Sequence, residues 1–248
     1  LGLAARTDLV AGSDEQKIAD AYRSYMDTAR IEALDAQPLQ PYLSAIRALD
    51  SHAAMAAYMG EHNGDYGVSL FGAGVGADAK NPTRHVVSTR QSGLGLPNRD
   101  FYLEARHAET KTKYQAYVAD MLGMIGWTNP VEAAAQIVAL EEKIAEAHWT
   151  QAESRNRDKT YNDYTIDRLA QEAPGFEWQA FYNAAGLGHV SRLVVAQNTA
   201  LPKMAAVYAE TPLEVLQAWQ AFHTADAMAP LLSQRFSDRR WEFRDRDL

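Results

Sequence analysis

The stretch QSGLGLPNRDFYL, Gln91 to Leu103, interrupts a chain that otherwise reads as helix after helix. Gly93, Gly95 and Pro97 break the run, and Phe101, Tyr102 and Leu103 close it with bulky apolar side chains. Just upstream, GVSLFGAGVGADAKNPTRHVVSTRQ (67–91) places β-branched and small residues on either side of the polar run ADAKNPTR, which predicts a β-hairpin. The quoted stretch is then the exit from a strand into the next helix. Its glycines supply backbone freedom and close approach at a sharp corner, and the three apolar residues anchor that corner in the core.

Helix signals extend outward in both directions. Ser13 with Gln16 forms a capping box before Ile18, Tyr22, Tyr25 and Met26, which share one helical face. Pro41 takes a first-turn position, Leu43, Ile46 and Leu49 continue the stripe, and a short helix is expected over 51–59. Downstream, Tyr114, Tyr117, Val118, Met121 and Ile125 line one face. Asn129-Pro130-Val131-Glu132 reads as a second capping box, opening a long helix to about His148. A connector, QAESRNRDKTYN, leads to a short helix near Ile166 that stops at Pro174-Gly175, then a helix over 176–185 and a short strand in SRLVVAQ. Thr211-Pro212-Leu213-Glu214 reads as a third box, ahead of Leu216, Trp219, Phe222 and His223. The fold class is mainly α: a multi-helix lobe with a small β-hairpin.

Composition narrows the function. A formal net charge of −8 argues against a general nucleic-acid binder, since phosphate contact needs a basic face. The absence of cysteine excludes disulfides and thiolate chemistry. No apolar run approaches the ~18 residues of a membrane span. Near the end, QRFSDRRWEFRDRDL (234–248) interleaves five arginines with acidic residues and reads as a solvated or partner-facing surface.

Catalytic motifs are missing. Gly72, Gly74 and Gly76 fall one residue short of the dinucleotide fingerprint, and no strong helix start follows them. No H-E-x-x-H or G-x-S-x-G occurs. A single Glu-x-x-His unit, Glu104 to His107, and His148 beyond it make only a weak candidate for an independent metal site. His148 reads as an imidazole favoured by the helix dipole at a C-terminal turn. Glu141 and Glu142 are adjacent on a helix and point in different directions. The residues alone therefore assign no catalytic and no metal-binding position.

QSGLGLPNRDFYL closely resembles a motif of the neprilysin and endothelin-converting-enzyme family of zinc metallopeptidases, usually GLGLP, then Asp, Asn or Ser, then Arg-Asp-Tyr-Tyr. Phe101 replaces the first tyrosine. GSDEQKI (12–18) with Tyr22, then Pro38-Leu39, NRDKTYN (156–162), APGFEW (173–178) and Thr211-Pro212-Leu213 resemble further family segments in the same order.

The resemblance implies a fragment of a two-lobed zinc metallopeptidase. In it, residues 1–248 are a single helical N-terminal capping lobe, truncated at both ends, and the zinc-binding catalytic lobe is not present. Zinc then belongs to the parent enzyme and none to this chain, which is expected to be inactive alone. Its partners are the missing C-terminal lobe and, in the full enzyme, small peptide substrates. Asn98, Arg99 and Asp100 are candidates for interlobe or cavity-facing positions. Arg99 and Asp100 leave two readings, an ion pair that brace the corner or groups that face the other lobe. The expected function is substrate gating, with a stand-alone helical binding or scaffold protein as the alternative. The alanine-rich, cysteine-free composition fits a bacterial periplasmic or envelope location, with a cytoplasmic one as the alternative.

Overall fold

Residue Ser13 begins the first helix as the sequence predicts: its hydroxyl accepts from the Gln16 N–H at 3.2 Å. The reciprocal bond slips by one residue, because the Gln16 side chain accepts from Gly12 N–H rather than from Ser13. In this computed structural model, which describes residues 2–66 and 68–248, that cap opens α1 (Asp14–Met26). Then follow α2 (Thr28–Leu34), α3 (Gln40–Ala48) and α4 (His52–Glu61) before the hairpin of β1 (Phe71–Asp78) and β2 (Asn81–Gln91). Next come α5 (Asp100–Leu103), α6 (Ala108–Met124), α7 (Pro130–Ala147), α8 (Gln151–Ser154), β3 (Asn162–Tyr164), α9 (Ile166–Glu172) and α10 (Trp178–Ala184). β4 (Leu193–Val195), α11 (Leu201–Glu210), α12 (Leu213–Met228) and α13 (Gln234–Trp241) complete the order, with a π-helical turn over Glu242–Asp247.

The expected hairpin is part of a four-stranded sheet of order β1-β2-β4-β3. β2 pairs antiparallel with β1 and parallel with β4, Val87 opposite Leu193, and β3 closes the other edge antiparallel. Pro82 is tolerated in β2 because the register jumps there. Ala77 pairs with His85 and Asp78 with Asn81, so the residues between lie outside the ladder and no N–H is required of proline.

α12 is the axis of the helical part. Twelve of its sixteen residues are buried, including Leu216, Trp219, Phe222 and His223, and α3, α6 and α7 pack against it. A helix apolar on every side belongs in a core. From α6, Tyr114, Tyr117, Val118, Met121 and the adjoining Ile125 are all buried, as their spacing requires. Leu43 and Ile46 of α3 are buried as well.

Several local expectations are corrected. Asn129 does not cap α7 with its side chain; it adopts the left-handed conformation at φ 50°, and Pro130 supplies the start. Thr211 does not cap α12 either. Its hydroxyl turns back to the Val207 carbonyl at 2.6 Å, satisfying the end of α11. The complete capping box lies instead at the head of the presumed connector, where Thr150, just before it, and Glu153 exchange both bonds to open α8. The charged C-terminal run is not simply solvated: Phe236 and Phe243 are fully buried, each worth about 1.5–3 kcal/mol of transfer free energy. Arg244 donates to the Asp226 carboxylate at 2.7 Å and to the Gly95 carbonyl at 2.5 Å, tying the chain end to the corner. Finally, Ile18, Tyr22, Tyr25 and Met26 do share a face of α1, but that face is exposed, and Ala19 is the helix's one buried residue.

Candidate functional site

The corner is built around a buried carboxylate. Leaving β2, the chain turns at Gly93, φ +91°, a conformation that disfavours any Cβ. At Gly95 the constraint is space: a Cβ there would meet the Tyr114 hydroxyl at 1.8 Å. The Tyr102 hydroxyl accepts from the N–H groups of Gly95 at 3.1 Å and Leu96 at 2.8 Å, which fixes the loop backbone. It donates in turn to Glu141 Oε2 at 2.6 Å. The other oxygen, Oε1, faces Trp219 Nε1 at 3.1 Å and His223 Nε2 at 2.7 Å. Three donors thus converge on a fully buried glutamate, the condition under which a buried charge is tolerable. Burial and the neighbouring carboxylate both push the Tyr102 phenol far above its ordinary range, so it stays protonated. Glu142, one residue on, points the other way and pairs with Lys111.

On the outer side of the corner lies a cleft of about 350 Å³, walled by residues 91–94 and 96–99 together with His148, Trp149 and Gln151. Asn98 and Arg99 line it, whereas Asp100 begins α5 outside it. The Asn98 side chain accepts from Asp100 N–H at 2.8 Å and so shapes the entry to that helix. Arg99 approaches Asp100 only to 4.0 Å; its firmer bond runs from Nε to the Ala145 carbonyl at 3.1 Å, in the last turn of α7. A cation at that end of a helix is favourable. The Arg99 brace therefore works through a helix terminus more than through an ion pair.

His148 Nε2 contacts the Ser92 carbonyl at 3.1 Å. Its pKa falls to about 4, chiefly through burial and further through the nearby Arg99 charge, with the Ser92 bond opposing. Desolvation outweighs the dipole effect expected for a helix end, so the imidazole is neutral at pH 7 and donates to Ser92. The weak metal candidates do not come together: Glu104 pairs with Arg106 at 2.6 Å, and His107 stacks on Phe101 at 4.1 Å. No group of three metal-ligating side chains occurs among the described residues.

A second network locks the far end of the hairpin. Asp78, fully buried, accepts from Tyr161 Oη at 2.6 Å, Arg192 Nη1 at 2.9 Å, Arg84 Nε at 3.1 Å and Lys80 N–H at 2.9 Å. The Tyr161 bond leads in holding its carboxyl well below the usual range. Sequence reading missed both buried acids. Their partners are scattered, Glu141 meeting residues 39 to 82 positions away, and only the i, i+4 pair Trp219 and His223 signalled a shared face.

Both networks tie strands and loops to the rest of the fold through buried carboxylates. Residues 3–248 match the N-terminal model of peptidase family M13. Endothelin-converting enzyme 1 of Cavia porcellus is 27% identical over 90% of this chain, which corresponds to 32% of that protein. The zinc metalloprotease ZMP1 of Mycobacterium tuberculosis, in complex with inhibitor, superposes with a TM-score of 0.92 at 31% identity, covering 99% of this chain and 38% of that one. PepO of Lactobacillus rhamnosis shares the fold at a TM-score of 0.78 and 15% identity. The chain thus spans about a third of the length of the curated relatives it matches. No helix among the described residues is long and apolar enough to cross a membrane.

Proposed function

The chain belongs to peptidase family M13, and from that premise we propose that it is the substrate-gating N-terminal lobe of a zinc metalloendopeptidase acting on short peptides. The observation that carries the reading is the superposition of 99% of this chain on 38% of an inhibitor-bound zinc metalloprotease. A piece that matches so completely, while leaving most of the other polypeptide outside, has its function in the context of that remainder. In this reading the zinc and the hydrolytic chemistry belong to another part of the polypeptide, and this chain contributes the shape of the approach to it.

The role proposed for these residues is exclusion. A wall that screens substrates by size must not yield when a folded protein presses on it. Glu141 with Tyr102, Arg99 with the end of α7, and Arg244 with Gly95 hold the corner from three sides. Asn98 and Arg99 border the cleft, where the guanidinium has further donors for the carbonyls or carboxylates of a passing peptide. The test uses the full-length polypeptide. It should cleave a short unstructured peptide and leave the same sequence intact within a folded carrier. Equal kcat/KM for the two substrates would overturn the gating role.

A further inference from the structure

β1 is an edge of the sheet, and only half of that edge is closed. Beyond it there is no further strand, so every second residue turns its N–H and C=O away from the β2 ladder. The parity is fixed at the start of the strand. Ser92 N–H bonds the Leu70 carbonyl in register with the ladder, whereas Phe71 N–H turns out to Ser69 Oγ at 3.2 Å. Asn63 then stands in for a neighbouring strand at Ala73, donating from Nδ2 to its carbonyl at 2.9 Å and accepting from its N–H at 3.4 Å. Val75 and Ala77 turn the same way, and among the described residues their backbone groups on that side have no partner. Both residues are exposed, Val75 at 61%. On the other face Gly74 and Gly76 border open space, where even an added Cβ would meet nothing within 4 Å. A second strand can therefore reach the edge without striking a side chain.

A groove of about 550 Å³ adjoins this edge, lined by Val75 with Val87, Leu187 and Val190. Its polar lining is cationic or imidazole: Arg84, His85, His189 and Arg192, with no acidic residue, in a chain whose formal net charge is −8. Arg192 spends its terminal nitrogens on Asp78 and Asp163. Arg84 gives only Nε to the buried Asp78, at 3.1 Å, so its terminal nitrogens are held in place without a partner among the described residues. We propose that Val75 and Ala77 bind an extended acidic peptide by strand addition, with one apolar side chain of the peptide entering the groove. Main-chain pairing supplies the attachment and the groove supplies the selection. A residue paired with Val75 points to the same face of the sheet as Val75, which is the face carrying Val87 and the groove. Carboxylates on the same peptide meet the free guanidinium of Arg84, and this charge complementarity identifies the partner. The proposal makes no use of the peptidase assignment.

Fluorescence anisotropy and hydrogen exchange on the full-length protein test it. The probe is a labelled peptide alternating valine with glutamate, and a chelator keeps it from being hydrolysed. Saturating probe should slow exchange over 71–78 by about fivefold or more. Val75→Pro removes the outward N–H without touching the β2 ladder and should weaken binding at least about tenfold, at unchanged circular dichroism. Val75→Thr keeps the N–H and should bind within about threefold of the parent. A probe N-methylated at every second residue cannot pair and should not bind, an outcome independent of how any variant folds. Lysine in place of glutamate in the probe should weaken binding at least about tenfold. Unchanged exchange over 71–78, or equal binding of the N-methylated or lysine probe, overturns the proposal. So does protection of 71–78 before any probe is added, which would mean that the edge is already taken, by a second copy if the protection depends on concentration. Hydrolysis of the probe without chelator reports on the peptidase assignment separately, whichever way the edge behaves.

Discussion

Gly95→Ala probes the corner where it has least room. The new Cβ would lie 1.8 Å from Tyr114 Oη and 2.6 Å from its Cζ, against a contact distance of about 3.5 Å. The ring has nowhere to go: Tyr114 is fully buried and packs on Phe222 and Phe243 at centroid distances of 6.0 and 5.6 Å. Overpacking costs about 1–3 kcal/mol, and an overlap beyond 1 Å with a trapped ring places this variant near 3 kcal/mol. For a chain of this size that lowers Tm by about 6–12 °C. Thermal and urea unfolding followed by circular dichroism would measure it. Tyr114→Phe supplies the control. Its hydroxyl has no hydrogen-bond partner among the described residues, so removing it should cost nothing or stabilise slightly. In the double variant the closest approach relaxes from Oη to Cζ, and the two changes should couple favourably by about 1 kcal/mol. A Gly95→Ala protein within about 0.5 kcal/mol of the parent, or strict additivity, would refute the close-approach argument.

Asp78→Asn keeps the volume but leaves Arg84 and Arg192 facing a neutral amide. With Arg84 half exposed the loss should be about 2–4 kcal/mol, read as a lower urea midpoint, and a neutral outcome would show that the buried carboxylate does not lock the hairpin. His148 sets a pH dependence. Its folded pKa of about 4 lies below the ordinary value near 6.5, so its neutral form is part of the fold. The contribution is complete above about pH 6.5 and is lost as pH falls toward 4, up to about 3 kcal/mol. His148→Gln, which preserves a donor for Ser92, should flatten the stability profile in that window; an unchanged slope would contradict the burial argument. Asp35, held at about 2 by its Arg235 bond, acts only below about pH 4 and leaves the window clear.

What the sequence disclosed was what periodicity and turn chemistry control. The faces of α6 and α12, the hairpin around Ala79-Lys80 and the corner at Gly93 to Pro97 follow from local patterns, and the fold class with them. Caps were less readable, since Asn129 and Thr211 have the right chemistry and are drawn by their backbone or by Val207 into other roles. Phe236 and Phe243, seven residues apart amid charges, carried a helical signal that the arginines masked. The α1 stripe was visible as apolar, but periodicity says nothing about what covers a face. The Glu141 and Asp78 networks depend on long-range convergence, which no spacing rule encodes.

The role proposed for this chain is to shape access to a zinc centre held elsewhere in the polypeptide. Elemental analysis of chain 1–248 beside the full-length protein, with peptide hydrolysis assayed on both, tests it directly. Stoichiometric zinc and activity are expected in the full-length protein and neither in chain 1–248. Zinc retained at one per molecule by chain 1–248, with peptide cleavage that a chelator abolishes, would contradict it.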